Sequence, residues 1–102
     1  MDPSLPELLG FLERLRRAVA DERVLVTHYA AERAADELEW DQWDILEELR
    51  ELQPADHHRC ELSHEPNRDL IWVFTPEHWD GDHLWIRLVE RQAIIVVSFH
   101  RA

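Results

Sequence analysis

The spacing of apolar residues changes once along this 102-residue chain, at Pro54, and that change constrains the fold more than any other feature. Before Pro54, apolar residues recur every three or four positions, as on a helix with one buried face. After it, they alternate or run together in short β-branched blocks, as in strands. Leu5, Leu8, Leu9, Leu12, Leu15 and Val19 form one helical stripe, opened by Pro3 and Pro6 with Ser4 as N-cap. Thr27 and Asp41 are placed to cap two further helices. The first of these turns Tyr29, Ala30, Ala34 and Leu38 inward. The second does the same with Trp43, Ile45, Leu46, Leu49 and Leu52. Between the first two helices, Arg23–Thr27 is too short to be a helix and reads as a strand or an extended link.

Beyond Pro54, His57–Ser63 alternates weakly. Leu70–Phe74 is a compact apolar run bounded by Pro66-Asn67 and Pro76, and Asp80-Gly81-Asp82 is a turn signal. His83–Val89 and Ile94–Phe99, separated by a few residues, predict an antiparallel hairpin. Helices followed by a meander of strands predict one α+β domain over residues 1–102, with N-terminal helices packed on a C-terminal antiparallel sheet. A hydrophobic content of 45% with five Trp suffices for one core at this length, which excludes a second domain.

Charge divides at the same place. The chain carries 22 acidic and 11 basic groups, all eleven basic ones Arg, for a net −11. Residues 1–56 hold 15 acidic and 6 basic groups, whereas residues 57–102 hold 7 and 5 together with six of the seven His. The acidity argues against unaided binding to duplex DNA or an anionic membrane, where basic residues supply the attraction. It fits a cationic protein partner, and the Asp36-Glu37-Glu39-Asp41 run offers a place for one. No apolar run approaches the roughly 20 residues of a membrane span. The charged N-terminus does not read as a signal peptide. The expectation is a soluble, cytoplasmic protein with no membrane association. Lone Cys60 excludes a disulfide scaffold and reads as a small buried residue.

The sheet half carries the residues suited to chemistry. An even-length loop centred on Arg91-Gln92 pairs Trp85 with Ser98, Arg87 with Val96 and His83 with His100. His83, Trp85, Arg87, Ser98 and His100 then share one face. Leu84, Ile86, Leu88, Ile95, Val97 and Phe99 form the core face. A one-residue bulge would move His100 away. Such a face has the parts for cleaving RNA. Histidines exchange protons near neutral pH, arginines hold a phosphate through fixed donors, and a tryptophan stacks on a base. His57-His58-Arg59-Cys60 with His64 offers metal-ligand types, but without the paired spacing of a zinc site, so no metal or cofactor is expected. His28 and Glu32, four residues apart, read as a surface pair on a helix.

Three stretches resemble the MqsR-like toxins of bacterial type II toxin–antitoxin systems, within the broader RelE-like group of small endoribonucleases. Residues 17–27 resemble a first-helix exit into a "VR-T" segment. Residues 48–59 resemble a helix leading to a "DFYK" strand. Leu84-Trp85-Ile86-Arg87-Leu88 with Ile94-Ile95-Val96-Val97-Ser98-Phe99-His100 resembles the closing "VYLKI … LIVSFK" hairpin. The resemblance implies a RelE-like α+β fold, cleavage of mRNA and inhibition by a cognate antitoxin. It places the family's strand-one Lys on Arg59, the Tyr of its hairpin on Trp85, its terminal Lys on His100 and a Gln on Val73. The expected site is therefore His100 as general acid or base with His58 or His83 as counterpart and Arg59 and Arg87 on the phosphate. Trp85, His83 and Arg101 would contact the RNA. The alternative is a non-catalytic acidic protein-binding module, an inhibitor, immunity protein or degenerate toxin on the same fold.

Overall fold

A computed structural model describes residues 2–63, 68–78 and 80–102. The helices are α1 (Leu5–Ala20), α2 (His28–Leu38) and α3 (Gln42–Glu51), each opened by the predicted cap. Ser4 and Glu7 form a reciprocal capping box on α1, as Asp41 and Asp44 do on α3, and the Thr27 hydroxyl accepts from the Ala30 N–H. These bonds satisfy amide groups that a helix start leaves without partners. Glu39, at φ 58°, ends α2 in the left-handed conformation.

The strands are β1 (Val24–Val26), β2 (His57–Leu62), β3 (Leu70–Phe74), β4 (Leu84–Glu90) and β5 (Ile94–Arg101), forming one sheet in the order β1-β5-β4-β3-β2. All neighbours are antiparallel except β1, the segment read as a strand or link, which pairs parallel with β5. Pro54–Asp56 makes a single 3₁₀ turn before β2. His64 and the Pro66-Asn67 boundary lie outside the described residues.

All three helices contribute to one core on one side of the sheet. Phe11 stacks on Trp72 at 4.2 Å between ring centroids and lies 6.0 Å from Phe74, joining α1 to β3. Ala30 and Ala34, both fully buried, belong to the core that holds Val96 and Phe99 of β5. The buried stripe of α1 is Leu8, Phe11, Leu12, Leu15 and Ala18, so the expected inward positions Leu5 and Leu9 are exposed. Tyr29 and Trp43 are exposed as well. Each lies in the first turn of its helix. The opposite side of the sheet carries no helix of this core. Its apolar residues form a second, smaller cluster of Ile71, Val73 and Val89, flanked by Trp85, Ile95 and Val97.

Candidate functional site on the open sheet face

Two β-bulges decide which side chains reach the open face. In β2 the register shifts between His57 and Arg59. The extra residue leaves His57 on the core side, against Trp72 and Phe74, and turns both His58 and Arg59 outward. In β5 the shift falls opposite Arg87 and Leu88, so that Arg87 pairs with Ser98, Leu88 with Val96, and Val97 is the extra residue.

The second bulge corrects the expected hairpin. The turn holds three residues, Arg91 to Ala93, with the Arg91 N–H donating to the Ala93 carbonyl at 2.9 Å. An odd turn alone would place Ser98 and His100 toward the core. The bulge adds one more residue and restores the parity. Trp85 therefore faces His100 rather than Ser98, and Arg87 faces Ser98 rather than Val96. His100 is brought to the open face by the bulge, not removed by it. Upstream of the bulge the core positions are Ile94 and Val96, so Ile95 and Val97 lie on the open face rather than in the core. His83 precedes β4, and its carbonyl accepts from Ala102, so it stands opposite Ala102 and not His100.

The open face centres on a cross-strand row. Arg59, Val73, Arg87 and Ser98 are successive partners on β2, β3, β4 and β5. Val73 and Ser98 are buried, while the two arginines project from either side of the valine. One position along, Glu61 bridges them. Its Oε1 lies 2.7 Å from Arg87 Nη2 and its Oε2 3.2 Å from Arg59 Nε. Burial pushes the Glu61 carboxyl up, but the Arg87 and Arg59 guanidiniums outweigh it and hold it below the usual carboxylate range. Arg87 Nε is buried without a hydrogen-bond partner, an unspent donor beside this carboxylate.

Trp85 collects the remaining groups. The Arg59 guanidinium lies 5.5 Å from its ring centroid, and His58 meets it edge-on at 5.7 Å. Arg59 Nη1 donates to His58 Nε2 at 3.4 Å. His100, across from Trp85, has Nδ1 2.7 Å from the Arg101 carbonyl. A carbonyl only accepts, so Nδ1 carries the proton and Nε2 of the neutral ring presents a lone pair. His58, Arg59, Trp85, Arg87 and His100 thus share one face. Arg101 is engaged elsewhere, by Asp80 at 2.8 Å, Asp82 at 2.9 Å and the Glu37 carbonyl at 3.5 Å, while its own N–H donates to the Glu37 carboxylate. Sequence reasoning missed Glu61. The available signal was its place two residues after Arg59 in a strand, which puts both on one face.

Toward the β4–β5 turn, the face continues as a shallow groove of about 230 Å³ floored by Ile71, Val89, Ile95 and Val97 and bounded by the Arg91–Asp69 ion pair. On the core side, His57 Nε2 approaches Cys60 Sγ at 3.6 Å, and burial pushes the thiol up to about 11. No group of three or more metal-ligating side chains occurs among the described residues, and none of their helices is long and apolar enough to cross a membrane.

These features define a small α+β protein whose helix-free sheet face carries arginines, histidines and an aromatic ring. Residues 10–101 match the model of the family described as "Motility quorum-sensing regulator, toxin of MqsA". The chain belongs to this MqsR toxin family, and so to the toxins of toxin–antitoxin systems, which have an antitoxin partner. Comparison with curated proteins gives no match.

Proposed function

We propose that this toxin is a metal-independent endoribonuclease of the RelE-like group that cleaves mRNA in the cytoplasm, with the open sheet face as its site. The observation that carries the reading is the gathering of Arg59, Arg87, His58 and His100 around Trp85. His100 Nε2 takes the proton of a ribose 2′-hydroxyl as the oxygen attacks the adjacent phosphorus. The 5′-oxygen leaves with a proton supplied by His58 in its doubly protonated form, which gives up the hydrogen bond from Arg59, and the products are a cyclic phosphate and a free 5′-hydroxyl. Arg59 and Arg87 stabilise the charge that develops on the phosphoryl oxygens. Trp85 stacks on a base. His83, exposed at the same end of the sheet, contacts a flanking nucleotide. Arg101, held by Asp80 and Asp82, steadies the strand end that carries His100.

Purified protein is expected to cleave RNA in the presence of a chelator, and His100→Ala and Arg59→Ala are each expected to lose most of that activity. Unchanged cleavage in both variants overturns the assignment. A second reading, an acidic protein-binding module without catalysis, is favoured by Trp43, which is 71% exposed on α3 in a groove that Glu22 and Glu47 also line. It predicts salt-sensitive binding to a basic protein, no RNA cleavage and no growth arrest on expression.

A further inference from the structure

Four of the eleven arginines of this acidic chain line a single cavity away from the site just described. Arg14, Arg17, Arg23 and Arg91 surround a recess of about 220 Å³ floored by Ala18 and Ile94, at the junction of α1 with the β4–β5 turn. Among the described residues, Glu90 is the only acidic one in the lining. On a chain of net charge −11, this is a concentration of guanidinium groups with a concave shape. Each arginine has a carboxylate neighbour: Arg14 has Glu90, Arg17 has Glu13, Arg23 has Asp21 at 3.5 Å, and Arg91 has Asp69. Arg14, Arg17, Arg23 and Arg91 keep about half or more of their side-chain surface exposed. Ion pairs this exposed contribute little and exchange readily for a better anion.

The position of Arg91 gives the cavity a direction. The same side chain lines this recess and bounds the apolar groove of the open face, so the two depressions meet at Arg91. From Arg59 and Arg87 the surface runs over Ile71, Val89, Ile95 and Val97 to Arg91, and then to Arg14, Arg17 and Arg23. Guanidiniums at both ends and an apolar floor between them match a single strand of nucleic acid, with phosphates at the ends and bases in the middle.

We propose that the four-arginine recess is a second phosphate-binding site, which holds the backbone of a single-stranded RNA several nucleotides away from the phosphate at Arg59 and Arg87. This rests on the nuclease reading for the first site. It makes the substrate an extended strand rather than a dinucleotide or a free nucleotide.

The test uses the full chain with 2′-O-methyl RNA, which binds but has no 2′-hydroxyl to react. Two probes are compared, a dinucleotide and a strand of about twelve nucleotides. The double variant Arg17→Gln/Arg23→Gln, at two exposed positions, is expected to bind the long strand roughly tenfold more weakly at low salt. Its plot of log affinity against log salt should be shallower by about 1.4, from two lost single-strand contacts. Dinucleotide binding should stay as in the wild type, and Arg17→Lys/Arg23→Lys should retain most of the long-strand affinity. Equal long-strand affinity and salt slope in the wild type and the Gln variant overturn the second site while leaving the first intact. If neither probe binds the wild type, the nuclease reading and this one fall together. If polyglutamate of similar length binds more tightly than the RNA and depends on Arg17 and Arg23, the recess takes an acidic protein segment and the proposal is overturned.

Discussion

The two faces of the sheet are made from the same strands and do opposite things with their residues. On the covered face, Leu84, Ile86, Leu88, Ile94, Val96 and Phe99 are almost fully buried under three helices. Every polar group there would have to find a partner in a dry interior. On the open face, Val73 and Val89 are buried too, but among Ile71, Trp85, Ile95 and Val97, with Arg59 and Arg87 on either side of Val73, rather than under a helix. Long charged side chains cover apolar surface with their stems while keeping their heads in water. One face spends its burial on stability. The other leaves Arg87 Nε without a partner and gathers two cations around one carboxylate, an arrangement that gains from a bound anion.

The contrast is testable from either side. Its largest expected effect is on the covered face, where Phe11→Ala removes the ring that α1 stacks on Trp72. Denaturant unfolding should show a loss of about 3–5 kcal/mol, a large part of the stability of a small domain. On the open face, His100→Ala should lower RNA cleavage by about a hundredfold or more while shifting unfolding by less than about 1 kcal/mol. A His100 variant as unstable as the Phe11 variant would break the contrast.

Glu61→Gln sharpens it further. Removing the carboxylate leaves the two guanidiniums uncompensated, so RNA binding should tighten severalfold at low salt, the reverse of Arg59→Ala. The same variant has a pH signature. The folded-state carboxyl sits below its ordinary value, so the stability it contributes is present above about pH 4.5 and is lost as pH falls through the lower folded value. The Gln variant should therefore show a shallower loss of stability on acidification. The smallest effect concerns Cys60 on the covered face. With its thiol pushed up to about 11 and its side chain buried, it should react with a maleimide at neutral pH only as fast as the protein opens.

Much of the scaffold was legible because it rests on local rules. The caps at Ser4, Thr27 and Asp41 act within one helical turn, and each stands where its chemistry predicts. Leu70–Phe74 was bounded correctly because an apolar run closed by Pro76 is a local signal. The inward positions were less legible. Leu5, Leu9, Tyr29 and Trp43 share the helical period but lie where no layer covers them. Phe11, the ring that docks α1, stands beside the chosen stripe rather than in it.

The site was half legible. Residue types and alternation put Trp85, Arg87, Ser98 and His100 on one face, and the structure agrees, but by a different route. An odd turn and one bulge together reproduce the parity that an even turn would have given. That compensation also moved Ile95 and Val97 out of the core. A bulge depends on how strands pair over several residues, and no single residue announces it. The bulge in β2 was equally silent, yet it alone lets two adjacent residues, His58 and Arg59, both face Trp85.

What the sequence by itself determined is the order of elements, the caps that start the helices, and the separation of an acidic helical half from a sheet half rich in histidine. These follow from interactions between residues a few positions apart. Only the tertiary structure decided that β1 joins the sheet beside β5, that Glu61 bridges two arginines, and that Arg91 links the open face to Arg14, Arg17 and Arg23. Those outcomes depend on register and on contacts between residues up to 76 positions apart, and side-chain alternation reverses with every single-residue shift.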